Sequence, residues 1–330
     1  MFNLHQALNG KRYIPFEERT GEQSTVYFTR DLSPEGLRRI YERVNQNIHG
    51  KIAVKLHTGE PHGPNIIPPE WIKELLKTDL PDATIVETNT FYNGDRYTTK
   101  EHRKTLEVNG WTAFTTVDIM DEDGTVMLPV KGGKWFTEMS VGSHMPSYES
   151  LVVLTHFKGH TMGGFGGSNK NIGIGCADGR IGKGMIHAKD GNMWGVNQEE
   201  LMEKITESTK ATIDFFGKNI CYVNVLRNIS VDCDCAGVEA APVVTPNIGI
   251  VASLDILAAD QACVDLIHAL SPAHQKAMVE RISSRHGYRQ LSYMKELGMG
   301  NDRYELLDID HEDAVIKPED AVAGVVDFGK

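Results

Sequence analysis

Two stretches of the chain concentrate the residue types that do chemistry. The first runs from His156 to Cys176 and sets His156, Lys158, His160, Lys170, Asn171 and Cys176 among glycines that include Gly166 and Gly167. The second is the run Asp232-Cys233-Asp234-Cys235. Imidazoles at His156 and His160 can move protons or bind a metal, while Lys158 and Lys170 supply positive charge. Gly166 and Gly167 would let backbone amides close on an anion, and Asn171 adds a side-chain amide. In an extended segment Cys233 and Cys235 point to one side, with Asp232 and Asp234 on the other. Paired thiols suit a soft metal or an iron–sulfur cluster. Cys176 is the natural third thiolate, and the three thiols with a histidine make an equally good zinc site. With three thiols, the fourth position is filled by something other than cysteine or is open to substrate, and an open metal acts as a Lewis acid. The plainer alternatives are a flexible glycine-rich surface loop and two buried cysteines beside turn-forming aspartates. A passive linker is expected to carry Ser, Pro or Glu rather than this mixture.

Two more polar loops repeat the pattern. Lys55 to Gly63 holds His57, Glu60 and His62, candidates for acid–base, metal or substrate contacts. Glu87 to Arg96 holds Asn89, Tyr92 and Arg96, which can orient a substrate carboxylate, with Arg96 as a two-pronged donor. Neither familiar phosphate fingerprint is present: there is no G-x-x-x-x-G-K-[ST] and no G-x-G-x-x-G opening an early helix. Each of the four loops follows a strand-like run. Open α/β sheets bind ligands at the carboxyl ends of their strands, so the four loops are expected to share one rim.

The elements that must position these loops alternate. Strands are predicted over 26–29, 51–56, 83–87, 151–155, 221–226 and 248–252. Ser33-Pro34 reads as the cap and first residue of a helix whose inner face carries Leu37, Ile40, Tyr41 and Val44. Further helices are predicted over 68–77, 101–109, 198–216, 272–286 and 290–297, and Asp255 caps another that runs through Leu270. Shorter strands over 113–120 and 125–130 flank Asp121-Glu122-Asp123-Gly124, which reads as a hairpin turn. Residues 157–189 show no period. Strands separated by helices imply an α/β fold with a mostly parallel sheet and flanking helices. Two lobes, 1–150 and 151–330, with a small β-rich insertion near 113–145, fit this pattern.

Composition narrows the function. The 330 residues are 40% hydrophobic and 24% charged, which is globular. A net charge of −11 argues against nucleic acid and against an anionic membrane surface as partners. Met1 to Phe16 lacks an apolar core of signal-peptide length, and Asp255, Asp260 and Asp265 interrupt the apolar stretch from Asn247 to Leu270. A soluble, cytoplasmic protein is expected. Five cysteines make a disulfide framework unlikely to be the purpose of the thiols, and Cys221 and Cys263 read as core residues.

Together the loops resemble the DUF362 family. The resemblance rests on Lys55 to Pro61, on Glu87-Thr88-Asn89-Thr90 with Tyr92, Gly94 and Arg96, and on His156-Phe157-Lys158-Gly159-His160. It continues through Phe165-Gly166-Gly167, Lys170 to Cys176, Asp232 to Cys235 and Asn247 to Ser253. It implies one family domain across 1–330 and fixes no reaction. Many members carry a ferredoxin module after the glycine-rich segment. Here no cysteine lies between Cys176 and Gln198, so that electron relay is missing.

The leading expectation is an enzyme with an iron–sulfur cluster, or another thiolate-bound iron or zinc, held by Cys176, Cys233 and Cys235. His160, Lys158, Lys170, His57 and His156 would bind or protonate a small anionic substrate. Glu60, Asn89, Tyr92, Arg96, Gly166, Gly167 and Asn171 would hold it. The reaction is then a reduction fed by an external electron-transfer protein, or a non-redox lyase or isomerase step. A metal-free enzyme is the second expectation, its loop holding a carboxylate or the phosphate of a nucleotide or flavin. A metal carrier or redox partner without catalysis is the third. In a homo-oligomer a second subunit would be able to supply the fourth ligand.

Overall fold

The computed structural model describes Gly10 and residues 12–326. The expectation drawn from Met1 to Phe16 lies mostly outside these residues. Among the described residues no helix is long and apolar enough to cross a membrane.

Apolar, β-branched runs that cannot face water on either side pair at the centre of a sheet. Two such runs do so here. β7 (Ser150–His156) and β10 (Ile220–Leu226) are buried along their whole length and pair in parallel. β2 (Ile52–Lys55), β3 (Thr84–Glu87) and β4 (Val117–Ile119) extend the sheet beyond β7, all parallel. Beyond β10 lie β11 (Gly249–Ser253), β1 (Gln23–Thr29), β12 (Arg303–Asp308) and β13 (Ala314–Ile316). The order of the nine-stranded sheet is β13-β12-β1-β11-β10-β7-β2-β3-β4, with β11 and β13 running against the rest. It is therefore a large mixed sheet, mostly parallel, and it draws strands from both sides of residue 150.

Alternation along β7 divides the core. Val152 and Leu154 face a cluster that includes Leu37 and Ile40 of α1 (Pro34–Tyr41) and Trp71 and Leu75 of α2 (Pro69–Thr78). Leu151 and Val153 face the other cluster, where α6 (Gln198–Phe216) contributes Leu201 and Ile205 and α7 (Ile256–Ala269) contributes Leu257 and Val264. The remaining helices are α3 (Thr99–Val108), α4 (Ser168–Gly175), α5 (Ile181–His187), α8 (Pro272–Ser284), α9 (Arg289–Glu296) and α10 (Pro318–Ala321). Ser33 caps α1 by accepting from the Gly36 N–H at 3.1 Å, as its sequence indicates. α3 begins earlier than expected because Thr98 and Glu101 close a reciprocal capping box.

Two local expectations are corrected. The 121–124 segment is not a hairpin turn: β4 stays in the main sheet, and β5 (Thr125–Pro129) pairs with β6 (Glu138–Gly142) instead. Residues 157–189 are not aperiodic loop. They form the small hairpin of β8 (Lys158–His160) and β9 (Gly164–Gly166), followed by α4 and α5. Glycines at 173, 175, 182 and 184 dilute the apolar period of these two helices.

Candidate functional site

The loops that follow β2, β3, β7 and β10 meet around one cavity of about 180 Å³. Its floor begins with charged residues that end two apolar strands. Lys55 Nζ lies 2.9 Å from Glu87 Oε2, and the other oxygen of Glu87 accepts from the Thr58 N–H at 2.9 Å. Arg96 lies 3.7 Å from Glu87 and donates to Glu60 at 2.7 and 3.0 Å. Tyr92 donates its hydroxyl to the same Glu60 oxygen. Burial opposes ionisation of Glu87, but Lys55 and Arg96 outweigh it and hold the carboxyl well below its usual range. Glu60 does not reach the cavity. It positions Tyr92 and Arg96, which do.

His57 stands beside Arg96. Its Nδ1 accepts from the Gly59 N–H at 2.8 Å, and its Nε2 is 3.4 Å from Arg96 Nη2. Burial, reinforced by Arg96, pushes its pKa down to about 4, so the ring is neutral at pH 7. A neutral imidazole carries one proton, yet both of its nitrogens face donors here. An acceptor atom placed in the cavity between His57 and Arg96 would relieve that conflict.

His156 was expected to act on substrate and does not line the cavity. Its Nδ1 lies 2.9 Å from both oxygens of Asp234, and its Nε2 lies 2.6 Å from the Arg227 carbonyl. Both ring nitrogens are thereby engaged in holding the loop. Lys158 does line the cavity, but its Nζ is paired with Asp234 at 2.9 Å. Burial works to lower the Lys158 pKa, and Asp234 more than offsets it, so the net shift is upward.

The opposite wall is less satisfied. His160, Cys233 and Cys235 each present a ligand atom, all within 4.8 Å of one another, so this group can hold a metal ion. The Asp232–Cys235 run is not extended throughout, because a 3-10 turn starts at Asp234. That turn brings the Cys235 N–H to 3.4 Å from Cys233 Sγ and still gathers the two thiols. Asp232 turns away to Arg281 at 3.1 Å. His160 Nδ1 accepts from the Gly163 and Met162 N–H groups at 2.8 and 3.2 Å, which leaves Nε2 for the thiols. A hydrogen bond from Cys235, opposed by burial and aided by Lys170 and His160, lowers the Cys233 pKa well below a normal thiol. The same bond and burial push Cys235 up.

Cys176, expected as the third thiolate, is not in this group. Residues 168–175 are a helix rather than an open loop, and at about 1.5 Å per residue α4 carries Cys176 roughly 12 Å along its axis. There Cys176 is 1% exposed, in the core, and burial pushes its pKa up to about 12. Cys221 and Cys263 are buried in the two core clusters.

The glycines serve close packing rather than an anion nest. A Cβ at Gly175 would sit 2.2 Å from Lys55 Cε, and one at Gly167 would sit 2.5 Å from Asp260 Oδ1. The first amides of α4 are already taken: Ser168 and Asn169 N–H groups donate to Asp260 at 2.7 and 2.9 Å. Gly166 and Gly167 still line the cavity, as does Asn171. The Asn171 amide ties α4 to β7 through Leu154 O and Thr155 Oγ1 at 3.1 and 2.9 Å. Asn89 does not line the cavity. Its side chain holds α3 through Thr99 at 3.0 Å and His102 at 3.3 Å.

The cavity also uses residues that pattern reading passed over. Lys183 donates to Thr88 Oγ1 at 2.7 Å and to the Asn89 carbonyl, and burial pushes its pKa down to about 8. His187, one turn further along α5, is brought to about 4 by burial. It stacks on Phe91 and meets the edge of Trp194. The i, i+4 spacing of Lys183 and His187 was the available signal. Neither Lys170 nor Lys183 has an ion-pair partner among the described residues. A second group, Asp118, Glu122 and His144, lies outside the cavity. It is already consumed by pairs, with His144 between Asp118 and Asp123 at 2.7 and 2.9 Å and Glu122 held by Arg103 at 2.6 Å.

Fold and site thus define an open α/β sheet protein whose strand-end cavity gathers several cationic side chains. A family model described as "Domain of unknown function (DUF362)" matches residues 52–265, and the chain belongs to that family. No curated protein matches it. Among solved structures, the lactate racemase apoprotein from Thermoanaerobacterium thermosaccharolyticum aligns over 90% of this chain and 85% of that one, with 14% identity and a TM-score of 0.38. A protein from Thermotoga maritima aligns over 58% of this chain and 49% of that one, with 13% identity and a TM-score of 0.36. Both alignments are loose.

Proposed function

We propose that the protein is a metal-dependent enzyme that acts on a small anionic substrate as a lyase or isomerase. The observation that carries this reading is the trio of ligand atoms at His160, Cys233 and Cys235, set in a cavity wall beside Lys170, which faces the Cys233 thiol and no carboxylate. His160, Cys233 and Cys235 would hold the metal and would leave it one open position, where it would supply Lewis-acid chemistry. Beside it, Lys170 supplies charge for a carboxylate or phosphate. His57 supplies a neutral donor beside Arg96. Lys183, brought to about 8, is the group able to take or give a proton near neutral pH. Coordination requires Cys235 to lose its proton and His160 to be neutral, so metal loading improves as pH rises.

An iron–sulfur reductase fed by an external donor protein draws less support, because most clusters are held by four thiolates and only Cys233 and Cys235 gather here. A flavin or nucleotide fits poorly, since a cavity of about 180 Å³ is below the usual 300–1,000 Å³ of drug-sized ligand sites. Metal analysis of protein purified without oxygen tests the proposal. The expected result is one bound metal per chain, lost in Cys233→Ser. Metal-free protein that keeps full turnover would sink it.

A second reading has its own observation. Cys233 Sγ faces Lys170 Nζ at 3.9 Å and the Cys235 N–H at 3.4 Å, a setting for a metal-free thiolate nucleophile or a closing dithiol. Rapid alkylation of Cys233 with loss of turnover, in protein shown to be metal-free, would favour it. Both readings need reduced thiols, and so a reducing compartment such as the cytoplasm.

A further inference from the structure

The cavity is not polar all round. Part of its wall is made of carbon: Phe91, Trp194, Met162, Ile174, Leu201 and Ile205. Phe91 and His187 lie nearly parallel, with centroids 5.9 Å apart and planes 18° apart. Trp194 stands edge-on to both, at 5.3 and 5.1 Å. Single exposed apolar side chains are ordinary. Trp194 differs because it is 41% exposed while forming part of a cavity wall, and Met193 beside it is 50% exposed. A short turn holds the tryptophan there, closed by the paired Lys189 and Asn192 backbones at 2.9 Å and by the Trp194 N–H on Asn192 Oδ1 at 3.0 Å.

A small, fully hydrated anion would balance Lys170 and accept from His57, and would leave this carbon wall wet. An apolar ligand would do the reverse and leave unpaired lysines beside it. We infer that the ligand of this site is amphipathic: a carboxylate or similar anion joined to one flat apolar group, its charge against the cationic wall and its ring against Phe91 and Trp194. The volume of about 180 Å³ limits the apolar part to about one ring. The inference rests on the reading of the cavity as an anion site and does not require the metal.

Calorimetric titration of the full chain with acetate, phenylacetate and 2-phenylethanol tests it, before and after treatment with a chelator. Phenylacetate is expected to bind at least tenfold more tightly than acetate, and 2-phenylethanol no better than acetate. Trp194→Ala should bring phenylacetate down to the level of acetate, while Trp194→Phe keeps the preference. Lys170→Met should weaken both anions together. Equal affinity for the two anions, retention of the preference in Trp194→Ala, or no binding of either anion overturns the inference. A chain stripped of metal that still prefers phenylacetate leaves this inference standing, while the metal reading falls only if metal-free protein keeps full turnover.

Discussion

Two polar regions share the same cavity and differ in whether their buried charges already have partners. In one, Lys55, Glu87, Arg96, Glu60 and Tyr92 form a closed network, and His156, Asp234 and Lys158 form a second closed cluster. In the other, His160, Cys233 and Cys235 present ligand atoms to one another, and Lys170 and Lys183 face a thiol, a hydroxyl and a carbonyl with no carboxylate to balance them. The first arrangement is a scaffold. Its groups are buried, paired and hydrogen-bonded, and removal of any one strands another inside the protein. The second is poised for a ligand, because its charge and donor atoms are satisfied only when something enters. Residue type alone does not separate the two, since each has lysine and histidine.

Glu87→Gln should break the closed side most severely. It leaves Lys55 and Arg96 short of a buried counter-charge and should cost about 3–5 kcal/mol in urea unfolding, whereas a loss below about 1 kcal/mol would dissolve the contrast. Acid reads the same network. Glu87 and Asp234 both have depressed pKa values in the fold. The stability they add is complete above the unfolded carboxyl range near pH 4 and is lost as the pH falls further. Glu87→Gln should flatten that decline.

On the open side the large effect belongs to the metal rather than the fold. Metal at a hundredfold excess over its Kd should raise the unfolding free energy by about 2.7 kcal/mol in the natural protein and not in Cys233→Ser. Lys170→Met should weaken anion binding about tenfold, near 1.4 kcal/mol, with stability unchanged within about 0.5 kcal/mol. A large loss of stability there would move Lys170 into the scaffold. Cys176→Ala should have the smallest effect on loading, with metal content unchanged. Loss of metal in that variant would restore Cys176 as a ligand.

Much of this was legible from residue pattern. The strands from β1 to β3, β7, β10 and β11 follow apolar runs, and α6 spans the predicted 198–216. The four loops were placed at strand ends, and the structure brings them together. The misreadings share a cause. In residues 157–189 the glycines obscure the helical period, so by pattern the segment reads as loop and Cys176 as part of the cavity. Once α4 is seen as a helix, its far end lies in the core. The same oversight hid Lys183 and His187, which share a face only if 181–187 is helical.

His156 and His160 mark where sequence stops. They are four residues apart, and both are plausible acid–base groups by type. Asp234, 78 positions away from His156, decides that it is structural. Cys233, from the same turn, makes His160 a ligand candidate. The sequence by itself determined the α/β alternation, the family and the loops that hold reactive side chains, because these follow from local period and composition. Only the tertiary structure decided which of those side chains are spent on one another and which remain free, because a buried charge is defined by partners that come from distant segments of the chain.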